Sequence, residues 1–356
     1  MSGALGAAMR GALRRLKRRL ARRPRREGPR ALILLYHRVC ELPSDPQLLA
    51  VTPGRFEQHL EVLRQRFRPM ELAELCAGLA RGEVPDRAVA ITFDDGYADN
   101  LTHARPALER HGVPATVYVA AGWTGTTREP WWDELEALLL SPGPLPETLR
   151  LSIGGQPRIW HLKGATRWED HSALRHQAWN VTRWFDPSAR HRIYRELHPL
   201  LRRLAPERRD GILSELWSWS GRDRLGRPSH RMLTAEELKA LARDDLVEIG
   251  AHTVDHPVLA ALPLERQRRE IEGSKAMLEK ILGRGVSTFS YPFGAADDFG
   301  PETVSAVRAA GFTNACANIP GLVRRDADAH RLPREIVRDW EGGVFTARLE
   351  RWFRDG

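Results

Sequence analysis

The stretch that most constrains this chain is Ala88-Val89-Ala90-Ile91-Thr92-Phe93-Asp94-Asp95-Gly96-Tyr97. Six apolar or β-branched residues run without alternation into two adjacent carboxylates and a glycine. That is the pattern of a short parallel strand buried on both faces. The C-terminal ends of such strands are where α/β proteins place their chemistry. Neighbouring aspartates repel each other, and folding alone gives no reason to juxtapose them; a cation or a shared proton removes the conflict. The plain alternative is an Asp-Gly turn with a solvated carboxylate. Other strand ends weigh against it.

An apolar run over 31–36 predicts a strand ending in His37. Helices are expected over 52–80, starting at Thr52-Pro53. Past Gly96, Ala98, Leu101, Ala104 and Leu108 mark a helix closed by His111-Gly112, and 115–120 is a strand. Strand, helix, strand at this spacing is a βαβ unit, so the sheet is parallel. After a capping box at Thr234 to Glu237, strands are expected over 245–250 and 286–291, leading into His252 and into Pro292-Phe293-Gly294. A helix over 301–310 and a short strand over 313–317 follow. His37, Asp94-Asp95, His252 and Pro292-Phe293 would then lie on one face of a parallel barrel. His252-Thr253-Val254-Asp255-His256-Pro257 sets two imidazoles four residues apart. Pro257 reads as the first residue of the next helix, placing His256 near its start. With a strand-end aspartate, these histidines complete an open divalent-metal set.

Residues 131–230 differ in character, holding eight of the eleven tryptophans. They read as a mainly helical insertion, with a small hairpin near 152–156, between the halves 31–130 and 231–345. A final helix is expected at 346–356. Trp131 and Trp132 could stack on a sugar ring, though packing is the commoner role.

The formal charge of +9 is unevenly placed: residues 1–30 carry eleven basic residues and one acid, which leaves the remainder at −1. A basic groove for nucleic acid is therefore not expected. Met9, Leu13, Leu16 and Leu20 fall at helical spacing among the arginines. The segment reads either as a peripheral contact with an anionic membrane or as a solvated tail. Three scattered cysteines fit a reducing compartment, and no run approaches a membrane span or the apolar core of a secretory signal. The expectation is a cytoplasmic protein, peripheral to the inner membrane if the tail binds lipid.

Thr92-Phe93-Asp94-Asp95-Gly96-Tyr97, His252-Thr253-x-x-His256-Pro257 and Tyr291-Pro292-Phe293-Gly294 together resemble the first three motifs of the polysaccharide deacetylases, the NodB-homology enzymes of carbohydrate esterase family 4. The resemblance implies a distorted (β/α) barrel and metal-dependent removal of N-acetyl groups from an N-acetylhexosamine unit of a bacterial glycan or lipid-linked saccharide. It implies that Asp95, His252 and His256 bind one divalent ion, zinc in the first instance, and that Asp94 is the general base. Phe293 would offer its backbone N–H to the oxyanion, with Pro292, Tyr97 and Trp131 as further substrate-side residues. Two departures stand out. The family's arginine two residues before the motif proline is Ser290 here, and Arg334 is the candidate replacement. No C-terminal Leu-x-Leu-x-His motif is present; Leu35-Tyr36-His37-Arg38-Val39 instead resembles the N-terminal histidine motif of the exopolysaccharide-type deacetylases, which makes His37 the candidate acid. Two alternatives remain: another C–N or acetyl-ester hydrolysis on the same scaffold, and a saccharide-binding homologue without turnover.

Overall fold

A computed structural model describes residues 30–169 and 174–355. The basic segment 1–29, with the membrane contact expected of it, lies outside the described residues. The core is a curled, mostly parallel sheet. Its central strands are β1 (Arg30–Tyr36), β2 (Ala88–Phe93) and β3 (Ala115–Val119). The hairpin β4 (Thr148–Ile153) and β5 (Gln156–His161) stands apart from this sheet. The sheet continues with β6 (Val247–Ala251), β7 (Thr288–Ser290) and β8 (Asn314–Cys316). In space the order is β8, β7, β6, β3, β2, β1, and every neighbouring pair in that run is parallel. Strand β2 is buried along its whole length, as its unbroken apolar run requires.

The last stretch of the sheet joins its two edges. Leu332 bridges Cys316 in β8, while β10 (Glu335–Ile336) pairs with Leu34-Leu35 of β1. The short β9 (Val323–Arg324) caps the other end of β1 in antiparallel register. One segment, 332–337, thus lies between both edges and curls the sheet into a distorted barrel. Helices cover the outside. α1 (Pro53–Arg66) buries Phe56, Leu60 and Leu63. α8 (Leu264–Leu282) buries Ile271 and Leu278 and stops at Gly283, whose φ of 67° is the left-handed conformation that glycine favours. The capping box at Thr234 forms as expected, opening α7 (Ala235–Leu241).

Three sequence expectations need correction. No helix follows Pro257; a short 3-10 turn at Leu259–Ala261 intervenes and α8 starts only at Leu264. His256 sits in a turn with φ of 50°, not at a helix start. Residues 131–230 form the mainly helical insertion expected, but its hairpin is longer than 152–156, running from Thr148 to His161. The helices α4 (Trp131–Leu140), α5 (Ala189–Arg202) and α6 (Pro206–Ser220) pack with the hairpin, whose Leu149, Leu151 and Ile153 point inward while the alternate residues face out. These elements share a second apolar core that includes Trp131, Trp132, Trp160 and Trp217. The C-terminal helix, α10 (Gly342–Asp355), begins earlier than 346 and buries Phe345 and Leu349. Among the described residues, no helix is long and apolar enough to cross a membrane.

Candidate active site

The parallel register brings the chemically capable strand ends together. His37 follows β1, Asp94 and Asp95 follow β2, His252 follows β6, and Phe293 lies just past β7. All five line one cavity of about 410 Å³. The insertion supplies part of the wall through Trp132, His198 and Arg202, and the segment after β10 supplies Arg338.

Asp95, His252 and His256 are buried, and their ligand atoms lie within 4.8 Å of one another. Asp95 Oδ1 is 3.6 Å from His252 Nε2 and 3.3 Å from His256 Nε2. Ligands ~2.0–2.1 Å from a tetrahedral zinc would lie about 3.3 Å apart, so the donors fit one ion. The ring of His252 is oriented as a ligand, because its Nδ1 donates to the Ser290 carbonyl at 2.7 Å and leaves Nε2 to face Asp95. His256 is boxed by rings, with Trp123 stacked at 5.4 Å and Trp132 and Phe293 edge-on at 5.0 and 4.7 Å. Its Nδ1 is buried without a hydrogen-bond partner. Burial lowers the pKa of His252 to about 4 and of His256 to about 3, so both imidazoles are in the neutral, metal-ligating form. Burial also raises that of Asp95, which has no cation paired to it among the described residues. A divalent ion would relieve that penalty, and the residues fit one.

Asp94 has a different environment. Burial opposes its ionisation, but Arg334 overcomes this and holds the carboxyl well below the usual range. The guanidinium grips Asp94 with two bonds of 2.7 Å, Nη1 to Oδ1 and Nη2 to Oδ2. Its other donors reach Thr92 Oγ1 at 3.1 Å, Ser290 Oγ at 2.8 Å and the Ala317 carbonyl at 2.9 Å. Arg334 is fully buried. Ser290, where the family's arginine would stand, is small enough to admit this side chain and accepts a hydrogen bond from it. Two adjacent aspartates thus coexist because one is clamped by a guanidinium and the other faces two imidazoles.

The turns that present these groups are unusual. Asp95, His256 and Phe293 have φ of 80°, 50° and 59°, in the left-handed region where non-glycine residues are uncommon. Gly294 follows with φ of 68°, and a Cβ there would lie 2.7 Å from the Asn318 nitrogen. The tight approach lets Asn318 N–H donate to the Gly294 carbonyl at 2.8 Å and fixes the loop that carries Phe293. The His37 ring lines the cavity, while its carbonyl accepts a bond from Asn100 Nδ2 at 2.9 Å. Burial lowers the His37 pKa, with the Asp95 and Asp94 charges pulling the other way.

Three residues anticipated on the substrate side are placed elsewhere. Trp131 is buried in the insertion core, tilted on His198, and its neighbour Trp132 lines the cavity instead. Tyr97 is wholly buried; its hydroxyl donates to Asp133 Oδ2 at 2.7 Å and accepts from Trp132 Nε1 at 2.8 Å. It braces the insertion against the barrel. Pro292 is buried in the turn and its carbonyl accepts from Gly294 N–H at 2.6 Å. Of the other residues lining the cavity, Trp132 is one of the two tryptophans that the sequence offers for stacking on a sugar, while His198, Arg202, Asn318 and Arg338 are not singled out by it.

Comparison with known proteins agrees with this fold. The family profile "Polysaccharide deacetylase" matches residues 81–142 and 219–315, the barrel on both sides of most of the insertion. A putative polysaccharide deacetylase, YxkH, of Bacillus subtilis is 22% identical over 321 residues, spanning 89% of this chain and 75% of that protein. The poly-beta-1,6-N-acetyl-D-glucosamine N-deacetylase of Escherichia coli is 27% identical over 93 residues, 26% of this chain but only 14% of the relative. Among solved structures, the Streptococcus pyogenes deacetylase PplD superposes with a TM-score of 0.56 at 16% identity, covering 90% of this chain and 99% of that one. IcaB from Ammonifex degensii gives 0.55 at 21% identity, covering 91% and 98%. Residues 81–142 and 219–315 thus match the polysaccharide deacetylase family, and the chain resembles its hydrolases of the C–N bond of N-acetyl groups.

Proposed function

We propose that this chain is a metal-dependent N-deacetylase acting on an N-acetylhexosamine unit of a glycan or lipid-linked saccharide. The observation that carries the reading is the division of labour between the paired aspartates: Asp95 faces two neutral imidazoles while Asp94 is clamped by Arg334.

Asp95, His252 and His256 would hold one divalent ion, with zinc favoured by the His and carboxylate donors. When bound, such an ion polarises the acetyl carbonyl and makes water acidic enough to attack at neutral pH. Asp94 takes the proton of the attacking water. The two-toothed grip of Arg334 keeps its carboxylate ionised and aimed. The Phe293 backbone N–H faces the developing oxyanion, a role that needs no particular side chain and so tolerates phenylalanine. His37 gives a proton to the departing nitrogen, since an amine leaves poorly as its anion; burial lowers its pKa, and the neighbouring aspartate charges offset only part of that. The alignment with the Escherichia coli poly-beta-1,6-N-acetyl-D-glucosamine deacetylase supports an N-acetylglucosamine unit as the first substrate to try.

The test is acetate release by the full chain across N-acetylated saccharides: β-1,6- and β-1,4-linked N-acetylglucosamine oligomers and a polyprenyl-diphosphate-linked N-acetylglucosamine. Turnover of at least one, with a free amine appearing for each acetate, is the expected result. Acetate released from O-acetyl esters alone would move the assignment to an esterase on the same scaffold.

A further inference from the structure

The cavity carries two guanidiniums that the hydrolysis does not use, Arg202 and Arg338. The charge of Arg202 is already taken. Its Nη2 lies 2.5 Å from Asp298 Oδ2, and its plane covers Phe293 with Cζ 4.4 Å from the ring centroid. It ties the end of α5 to the turn that follows β7.

Arg338 is different. Its Nη1 donates to the backbone carbonyl of Leu48 and, at 3.4 Å, to that of Gln47. Neither acceptor carries a full charge, and among the described residues Arg338 makes no ion pair. The nearby acid, Asp45, spends its two oxygens on the N–H groups of Leu49 and Ala50 at 2.9 and 2.8 Å. Burial works against the charged form of Arg338 and pushes its pKa down. The backbone that carries it is fixed on both sides. Val337 N–H donates to the Leu35 carbonyl at 2.9 Å, and the Arg338 carbonyl accepts from Trp340 N–H at 2.6 Å. A half-buried guanidinium held rigidly on a cavity wall without a counter-ion is costly by itself. The cost is recovered when the occupant of the cavity brings an anion, which a planar fork can bind with two hydrogen bonds.

We propose that Arg338 recognises an anionic group, a phosphate or a carboxylate, on the N-acetylated saccharide, so that the preferred substrate is an acidic rather than a neutral saccharide. This deepens the deacetylase reading above and rests on it. The charge logic also suits release: hydrolysis leaves an amine that is an ammonium at neutral pH, and a cationic wall holds the acidic substrate without holding the new cation.

The experiment compares the full chain with Arg338→Gln and Arg338→Lys on three probes. These are N,N′-diacetylchitobiose, its 1-phosphate, and a hyaluronan tetrasaccharide, whose anion is a uronate. Acetate release gives kcat and KM, and quenching of tryptophan fluorescence gives Kd in parallel, since Trp132 lines the cavity. Wild type should favour one acidic probe over the neutral one, and which one tells phosphate from carboxylate. Arg338→Gln should shrink that preference about tenfold or more, the size of one charge-assisted hydrogen bond, through KM and Kd rather than kcat. Arg338→Lys should restore part of it. Equal losses on all three probes would reduce Arg338 to a clasp for the 45–50 loop and overturn the proposal, as would a wild-type preference for the neutral probe. If no probe releases acetate, the Kd ratios still decide this proposal, while the missing turnover counts against the deacetylase reading alone.

Discussion

Asp94 and Asp95 are adjacent in sequence yet chemically opposite, and their partners make them so. Asp94 pairs with a guanidinium, Asp95 with two imidazoles. Removing Arg334 would leave Asp94 buried and unpaired. Breaking one partner from a buried pair costs about 3–5 kcal/mol, so Arg334→Met should lower the melting temperature by many degrees. The sign for catalysis follows from the same contact. Arg334 depresses the Asp94 pKa, so its loss lets that pKa rise and moves the acid limb of kcat/KM to higher pH. A pH–rate profile with an unmoved acid limb would separate Asp94 from the base role. His37 makes a contrasting prediction. A general acid contributes ~10²–10⁴-fold, so His37→Ala should lose about that much turnover on an amide. It should lose far less on an activated aryl acetate, whose leaving group needs no proton, and metal content should not change. Equal losses on both substrates, with a lower melting temperature, would make His37 a structural residue.

At the scale of elements, α1 and α10 pack together on the outside of the barrel that the segment 332–337 closes. His59 on α1 is fully buried, stacked on Phe345 of α10 with centroids 4.0 Å apart. Its Nε2 lies 2.7 Å from the Trp340 carbonyl, a contact that makes this nitrogen the donor and Nδ1 the acceptor for the Tyr36 hydroxyl at 3.2 Å. Burial lowers its pKa from 6.5 to about 4. Between those values the unfolded chain binds the extra proton, so stability rises with pH across the window and is lost as pH falls from 6.5 towards 4. Urea unfolding followed at several pH values in this window should show a smaller slope for His59→Gln than for wild type. The difference should be no more than one proton's worth, about 1.4 kcal/mol per pH unit. An unchanged slope would mean that His59 is not the buried neutral group described. The sequence showed that α1 has an apolar face, but not that a histidine of that helix bridges to the C-terminal helix. That pairing spans 286 residues of chain, from position 59 to position 345, and no local pattern encodes it.

For the whole molecule, the strands were legible because fully buried parallel strands write themselves as unbroken apolar runs, and their ends could be aligned on one face by topology alone. The metal-donor set was legible because Asp95, His252 and His256 are fixed by short motifs. What escaped depended on direction. Trp131 and Trp132 are neighbours at the start of α4, about 100° apart around a helix, and composition cannot say which one faces the cavity. Tyr97 lies three residues past Asp94 and points into the seam with the insertion. His256 is aimed by a left-handed turn, where Pro257 reads in the sequence as the first residue of a helix. The sequence offers Arg334 as the candidate replacement but not its two-toothed contact with Asp94, and Arg338, four residues on, carries no motif.

Amide hydrolysis should depend on one divalent ion held by Asp95, His252 and His256. This dependence is tested most directly by stripping the full chain of metal, adding zinc in steps, and measuring bound metal and acetate release on the same samples. Wild type should regain activity linearly and level off at one ion per chain, while His256→Ala should bind little metal and stay inactive over the same range. Full acetate release by the stripped chain, or full metal occupancy in His256→Ala, would contradict the account.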